Sequence, residues 1–428
     1  MKVIGMDISK GVATCVMLEE LPQNLAEFTR SKEFVYWHIK PKTEDLEAIA
    51  SLEPDLIVFE PSGGRYETAI RHFMRAKGID IRQVAGRRLA VYRAEAKLQK
   101  DDHFDALAIA AYGLEKHRER EAFIPETTPE IELLRQQWLQ RHSLMNQRNG
   151  AIARLRQNLA AEFPEAMEFD SNKKWGGGSC GLILWLAGEG DPSERGVKMW
   201  QTRYEGGKRR SQGKRIEQPP SCGIGISSYT RLVARQLLEV ERAIGTIEAA
   251  IDDELKRGDY AAYIQAMDAL CFGQSMKAIW LTRIYPFSKF LDEGGRERIS
   301  KRLSSNGRWR THNHSLAQFK AALGAAVDMP RSGTSGGIAP TKQRSPGRNR
   351  KSHEEKKRPI GCKFCRVTFW QWATVQIETK TASSEHAKTL GRKRDEWKAA
   401  GKNLFQRSGL LHGYASKLLY RELKKALL

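Results

Sequence analysis

Lys100-Asp101-Asp102-His103-Phe104-Asp105-Ala106 opens a proline-free segment of helical composition that runs on through Leu107 to Lys116 (LAIAAYGLEK). Residues three apart are neighbours on a helix, so Asp102 and Asp105 carry their carboxylates on one face. Such a pair repels itself unless a positive charge stands between the two. Hard divalent cations such as Mg²⁺ take oxygen ligands of this kind. The plainer alternative is capping, since an acidic first turn also suits the helix macrodipole. The residues upstream decide between the two.

Working outward from that stretch, Val3 to Met6 reads as a short apolar strand ending at Asp7. VATCVML after Gly11 and FVYWHI at 34–39 read as two more strands, and a helix is predicted near 43–52. DLIVFE at 55–60 is a continuous apolar run of the kind buried on both faces, with Glu60 at its carboxyl end. Pro61-Ser62-Gly63-Gly64 breaks the chain. An amphipathic helix (65–77), a strand (80–85) and a helix (87–98) then lead back to the opening stretch. Three early strands followed by alternating strand and helix predict an α/β domain. In such sheets, polar groups at the carboxyl ends of strands gather in one crevice. Asp7, Glu60, Asp102 and Asp105 are thereby placed to converge. Each taken singly is a turn or solvated residue; together, in an RNase H-like order, they suit two-metal phosphoryl chemistry.

The 428 residues suffice for two or three domains. The formal charge of +21, with a pI of about 9.7, points to a polyanionic partner. Its distribution is uneven. Residues 1–125 hold 19 Lys and Arg against 20 Asp and Glu, whereas residues 331–428 hold 23 against 7. The acidic cluster thus belongs to a balanced first domain and the basic grip to later regions. No apolar run is long enough for a signal peptide or a membrane span, so a soluble, cytoplasmic protein is expected. Six scattered cysteines exclude a secreted disulfide framework. Cys362 and Cys365 form one CxxC without a matching second pair, which favours buried thiols over zinc.

Residues 129–165 form a long basic helical stretch with an intermittent apolar stripe of Leu133, Leu134, Trp138, Leu144, Ile152 and Leu155. Residues 229–255 form a second, with Leu232, Leu238, Val240, Ile244, Ile247 and Ile251. Both suit an antiparallel hairpin, a coiled coil between subunits, or a bundle within one domain. Residues 171–227 lack clean periodicity and read as an irregular insertion, either ordered on a nucleic acid or a solvated loop. There Lys208, Arg209, Arg210, Lys214 and Arg215 suit phosphate contact. Residues 263–291 read as helix, glycine turn and helix, 315–327 as a further helix, and 366–428 as more helices. Between them, the Gly/Ser/Arg/Lys segment from Met329 to Phe364 has too little apolar surface for a core. Phe369, Trp370, Trp372 and Trp397 among basic residues offer base stacking, against the commoner role of core tryptophans.

GMDISKG, VFEPSGG and the Lys100 to Ala106 stretch together resemble the motifs of the DEDD transposases of insertion-sequence family 110, the last matching K-x-D-x-x-D-A. LCFGQSMKAIWLTRIYPFSKF is similar to that family's helix–glycine–helix segment, with Cys271-Phe272-Gly273-Gln274 standing where the family has PGIG. Gly337-Ile338-Ala339-Pro340 through Ser345 resembles G-L-x-P-x-x-x-x-S-G, with Pro346 in place of the last glycine; Gly361 and Arg366 fall near its G-x-x-x-L-R. Residues 171–227 have no counterpart in the resemblance.

The resemblance implies an RNase H-like (RuvC-like) α/β domain over 1–125 and a helical coiled-coil region over 126–260. A mostly α transposase domain would follow over 261–428. It further implies a composite site in which Asp7, Glu60, Asp102 and Asp105 hold Mg²⁺ and Ser345 attacks the scissile phosphate. A phosphoserine–DNA intermediate would follow, then strand exchange. Ser332, also followed by glycine, is the alternative nucleophile. Arg344, Arg348, Arg350 and Lys351 join the expected nucleic-acid contacts. The implied partners are element-end and target DNA, a structured bridge RNA that selects them by pairing, and further copies in a dimer or tetramer. The implied location is the nucleoid of a prokaryotic cytoplasm. Two other readings remain: a Holliday-junction-resolvase-like nuclease that uses water, and a non-enzymatic basic scaffold.

Overall fold

The computed structural model describes residues 1–61, 66–119, 122–125, 127–167, 169–172, 174–175, 179–211, 214–303, 307–325, 361–379, 381 and 383–428. These form two compact units, Met1–Thr127 and Thr128–Leu428.

The first unit is built on β1 (Val3–Ser9), β2 (Val12–Leu18), α1 (Leu25–Phe28), β3 (Trp37–Ile39), α2 (Thr43–Ala50) and β4 (Leu56–Phe59). It continues through α3 (Glu67–Ala76), β5 (Asp80–Gln83), α4 (Gly86–Glu95) and α5 (Asp102–Lys116). The sheet order is β3-β2-β1-β4-β5, antiparallel among the first three strands and parallel from β1 through β5. This mixed five-stranded sheet with helices is consistent with an RNase H-like fold. Alternation along β1 and β4 divides the side chains between two layers. Ile4, Met6, Ile57 and Phe59 pack with Ile49, Ile70 and Met74 of α2 and α3. Val3, Leu56 and Val58 pack with Ile109 and Tyr112 of α5.

β1 extends further than the sequence indicates. Lys10 and Gly11 both lie at positive φ (50° and 84°) between Ser9 and its partner Val12. A two-residue connection of this kind matches strand twist, so pairing with β2 continues to the end of β1. Asp7 therefore sits within the strand, opposite Thr14, rather than at its end. The third strand is shorter than expected, covering Trp37–Ile39 only. Phe34 and Tyr36 instead form a ring cluster with His103 and Phe104.

The second unit starts with α6 (Pro129–Glu162), β6 (Lys174–Trp175), β7 (Ser179–Cys180), α7 (Gly181–Ala187), α8 (Arg195–Glu205), β8 (Gly207–Ser211), β9 (Lys214–Gln218) and α9 (Ser228–Leu255). Then come α10 (Ala261–Asp268), α11 (Gln274–Ile284), β10 (Ile299–Leu303), β11 (Trp309–Asn313), α12 (His314–Ala322), α13 (Lys363–Trp372), α14 (Glu385–Ala399) and α15 (Leu404–Leu427). Thr128 caps α6 with Pro129 at its first position, and Ser227 caps α9. α6 and α9 pair antiparallel within the chain. Arg141 to Glu248 (2.6 Å) and Arg148 to Glu241 (2.8 Å) bridge them in opposite sequence order. Of the expected stripes, Leu134, Trp138, Ile152, Leu155, Leu238, Ile244 and Ile251 are buried, while Leu133 and Leu232 face solvent.

Where 171–227 is described, it holds regular elements rather than irregular chain. Leu182, Ile183 and Leu186 of α7 and Trp200 of α8 share a core with Leu155, Leu159 and Phe163 of the α6 end and with Val233, Ala234 and Leu237 of α9. Helices of 7 and 11 residues are too short to show their period, and their apolar faces fit the long helices rather than each other. The polar run before α12 likewise contains the antiparallel β10–β11 ribbon.

Candidate active site

Two close approaches bring α5 onto the sheet. A Cβ at Gly5 would lie 2.2 Å from the Ala106 carbonyl oxygen and 2.3 Å from the Ala110 nitrogen. One at Gly113 would lie 2.7 Å from Val58 Cγ2. Ala106, Ala110 and Gly113 recur at steps of four and three, so the helix lays a face of small residues directly on β1 and β4. Asp101 caps α5 by accepting from the His103 N–H (3.4 Å). Asp102 and Asp105 consequently occupy the first turn of a helix clamped to the sheet.

Register supplies the other two carboxylates. β1 and β4 run parallel with Met6 opposite Phe59. Asp7, next along β1, shares the parity of Gly5 and so the face covered by α5, while Glu60 directly follows β4 and is exposed. Glu60 lies over the start of α4, where a Cβ at Gly86 would fall 2.0 Å from its Oε1. A side chain at position 86 would displace the Glu60 carboxylate from this position.

Electrostatics register the convergence. The Asp7 carboxyl is pushed up from its ordinary 3.8 to about 6, first by burial and then by the negative charges of Asp102, Asp105 and Glu60; Lys100 opposes them. Only groups close to Asp7 act on it this way. Glu60, Asp102 and Asp105 thus all lie near enough to Asp7 for their charges to act on it. Arg93 of α4 forms an ion pair with Asp105. Nothing in the sequence marks Arg93 or Gly86, because each acts across the fold on a residue of another element, whereas Lys100 opens the stretch that the sequence singled out.

Among the described residues, no three His, Cys, Asp or Glu are gathered at metal-holding distance. The site is a convergence of negative charge with a guanidinium on one member, rather than a closed coordination shell. Its donor set nevertheless fits a hard divalent cation: every candidate ligand is a carboxylate, and the charge on Asp7 is under-compensated.

The other candidate residues fare differently. Ser345, Ser332, Arg344, Arg348, Arg350 and Lys351 lie outside the described residues. What is described is the stem of that segment: a Cβ at Gly361 would stand 2.7 Å from Gly324 Cα, so the chain returns to its point of departure. Lys208 is exposed on β8, and the backbones of Arg209, Arg210, Lys214 and Arg215 run in the same β8–β9 ribbon. Phe369 and Trp372 are core residues, with the Trp372 indole donating to the Cys271 carbonyl (2.9 Å), so they are not free to stack bases. Trp397 packs against the same core, and Trp370 is exposed. Cys362 and Cys365 are buried at the start of α13. The Cys365 thiol hydrogen-bonds Cys362 and, with the Arg283 charge and despite burial, brings the Cys362 thiol down to about 5.

Residues 4–164 match the family model of the DEDD transposases of insertion-sequence family 110, described as a transposase. All four carboxylates and Arg93 lie inside the matched region. No curated protein matches the chain. No described helix is long and apolar enough to cross a membrane.

Proposed function

We propose that the protein cuts and rejoins DNA through a serine nucleophile. Asp7, Glu60, Asp102 and Asp105 would act as Mg²⁺ ligands and Ser345 as the attacking group. The observation that carries this reading is the charge placed on Asp7 by three other carboxylates inside the region that matches a transposase domain. A divalent cation bound there would neutralise charge on the scissile phosphate and favour loss of the serine proton. Asp7 within β1, Glu60 directly after β4 and Asp102 in the capped turn of α5 would offer the ligands from ordered elements before substrate arrives.

In the reaction, the Ser345 hydroxyl oxygen bonds to phosphorus and a deoxyribose oxygen leaves, taking a proton. The phosphoserine ester retains the energy of the broken phosphodiester. A hydroxyl of another strand then displaces the serine. The work divides as residues 1–125 for the carboxylates, 126–260 for the helical connection and 261–428 for the nucleophile. A guide RNA read by pairing would account for a basic protein without a sequence-reading module, and subunits would assemble as a dimer or tetramer.

The test uses purified full-length protein, labelled element-end DNA and Mg²⁺, with the product run on a denaturing protein gel. Label migrating with wild type, absent from both Ser345→Ala and Asp102→Asn, supports the reading. Free cleaved DNA that persists in Ser345→Ala replaces it with the water-using nuclease. Unchanged activity in Asp102→Asn removes the carboxylate site from the chemistry altogether.

A further inference from the structure

The β10–β11 ribbon is anchored at its base and open along its body. Asn313 donates to Glu297 (2.8 Å), which also holds Lys424 (2.5 Å). Ser300 pairs with His314 (2.7 Å), and the Arg298 N–H donates to Ser315 (2.9 Å). Asn313 caps α12. Beyond this base Lys301, Leu303 and residues 307–312 face solvent. Register pairs Ile299 with Asn313, Lys301 with Thr311 and Leu303 with Trp309. Partners directly opposite share a face, so Ile299, Lys301, Leu303, Trp309 and Thr311 line one side. Ile299, Leu303 and Trp309 are 53%, 60% and 71% exposed. A two-stranded ribbon with its apolar side in water is marginal by itself, so this face is built to be covered.

Charge selects what covers it. From Arg298 to Ala325 the chain has no Asp or Glu, while Arg298, Lys301, Arg302, Arg308, Arg310 and Lys320 are cationic. Arg308 and Arg310 flank Trp309 and are exposed, as is Lys301 on the indole's own face. An acid-free cationic ribbon attracts a polyanion, and an exposed indole that shares its face with Lys301, with Arg310 on the opposite face of the same strand, suits a base whose phosphates run along the ribbon. Bases within a duplex are already stacked and present only their edges, so the indole requires an unpaired base.

We propose that the β10–β11 ribbon binds an unpaired DNA strand, with Trp309 stacking on a base and Lys301, Arg308 and Arg310 contacting its phosphates. The choice of DNA rests on the DNA-processing reading above. Unpaired DNA is what a strand-cutting and strand-exchanging enzyme exposes.

The test measures fluorescence anisotropy of labelled oligo(dT), the corresponding RNA, and duplex DNA with the full chain, in EDTA. Trp309→Ala should weaken oligo(dT) binding roughly ten-fold and leave duplex binding nearly unchanged. Trp309→Phe should retain most of the affinity, and Arg308→Ser with Arg310→Ser should flatten the salt dependence. Unchanged oligo(dT) affinity in a folded Trp309→Ala protein overturns the proposal. So does an equal loss on duplex, or tighter binding of the RNA. Binding in EDTA is blind to catalysis. A protein that binds through Trp309 yet forms no adduct therefore refutes the reaction and keeps the ribbon.

Discussion

Arg93 in the last turn of α4 forms an ion pair with Asp105 in the first turn of α5, their side chains only 19% and 15% exposed. Arg93 therefore shields one member of the carboxylate cluster while Asp7 bears the repulsion of the others. Arg93→Met keeps most of the stem and removes the charge, leaving Asp105 in the same field as Asp7. We expect a loss on the order of 2 kcal/mol in EDTA, largely recovered in saturating Mg²⁺. Thermal melting in the two buffers reads both numbers. An equal loss in each would mean that Arg93 has only a packing role.

Asp7 makes stability depend on pH in a definite direction. Its folded value of about 6 lies above the ordinary 3.8, so the folded protein holds the proton more tightly than the unfolded chain. Stability from this group is complete below about pH 3.8 and is lost as pH rises through 6. Asp7→Asn should match wild type at the acid end and exceed it at neutral pH. The gain is on the order of 1 kcal/mol once solvent screening is allowed for. Mg²⁺ should abolish that gain by stabilising wild type alone. Urea unfolding at both pH values measures it, and a gain that persists at low pH would remove charge repulsion as the cause.

Gly5→Ala tests how α5 is placed. The added methyl would overlap the Ala106 carbonyl and the Ala110 nitrogen, both backbone atoms of one helix. Relief requires α5 to lift, at a cost on the order of 3 kcal/mol. Asp102 and Asp105 would move with it, so DNA cleavage should fall further than the folded fraction does. Cleavage that tracks only the folded amount would show that the carboxylates tolerate the shift.

The first unit was largely legible because its signals are local. Apolar runs of strand length, glycine breaks and an acidic helix start each occupy a few consecutive residues. Parallel register then pairs Met6 with Phe59, the residues just before Asp7 and Glu60. Arg93 and Gly86 were not legible, since their partners Asp105 and Glu60 come from other elements. In the second unit, Phe369 and Trp372 gave the same signal as stacking aromatics but are held in the core by Phe272, Trp280 and His412. The turn at Cys271 forms although the sequence lacks the expected proline–glycine pair. Cys271 itself adopts φ +58°, with its carbonyl held by the Trp372 indole. Tertiary contact supplies there what local sequence does not.

The folded state of residues 181–205 carries the last expectation, because sequence patterning over 171–227 suggested either order on a nucleic acid or a solvated loop. Leu186 is fully buried in the core shared by α6, α7, α8 and α9. Glu162 and Glu165, at and just beyond the end of α6, hold the returning chain through Ser227 (2.7 Å) and Ser221 (2.6 Å). Both features stabilise the region without any partner. Amides of Gly181–Ala187 and Arg195–Glu205 should be protected from hydrogen exchange in nucleic-acid-free protein. Leu186→Ala should remove that protection and cost about 2–5 kcal/mol, extending fraying into the facing turns of α9. Free exchange that slows only when DNA or RNA is added would return residues 171–227 to a segment that folds on its ligand.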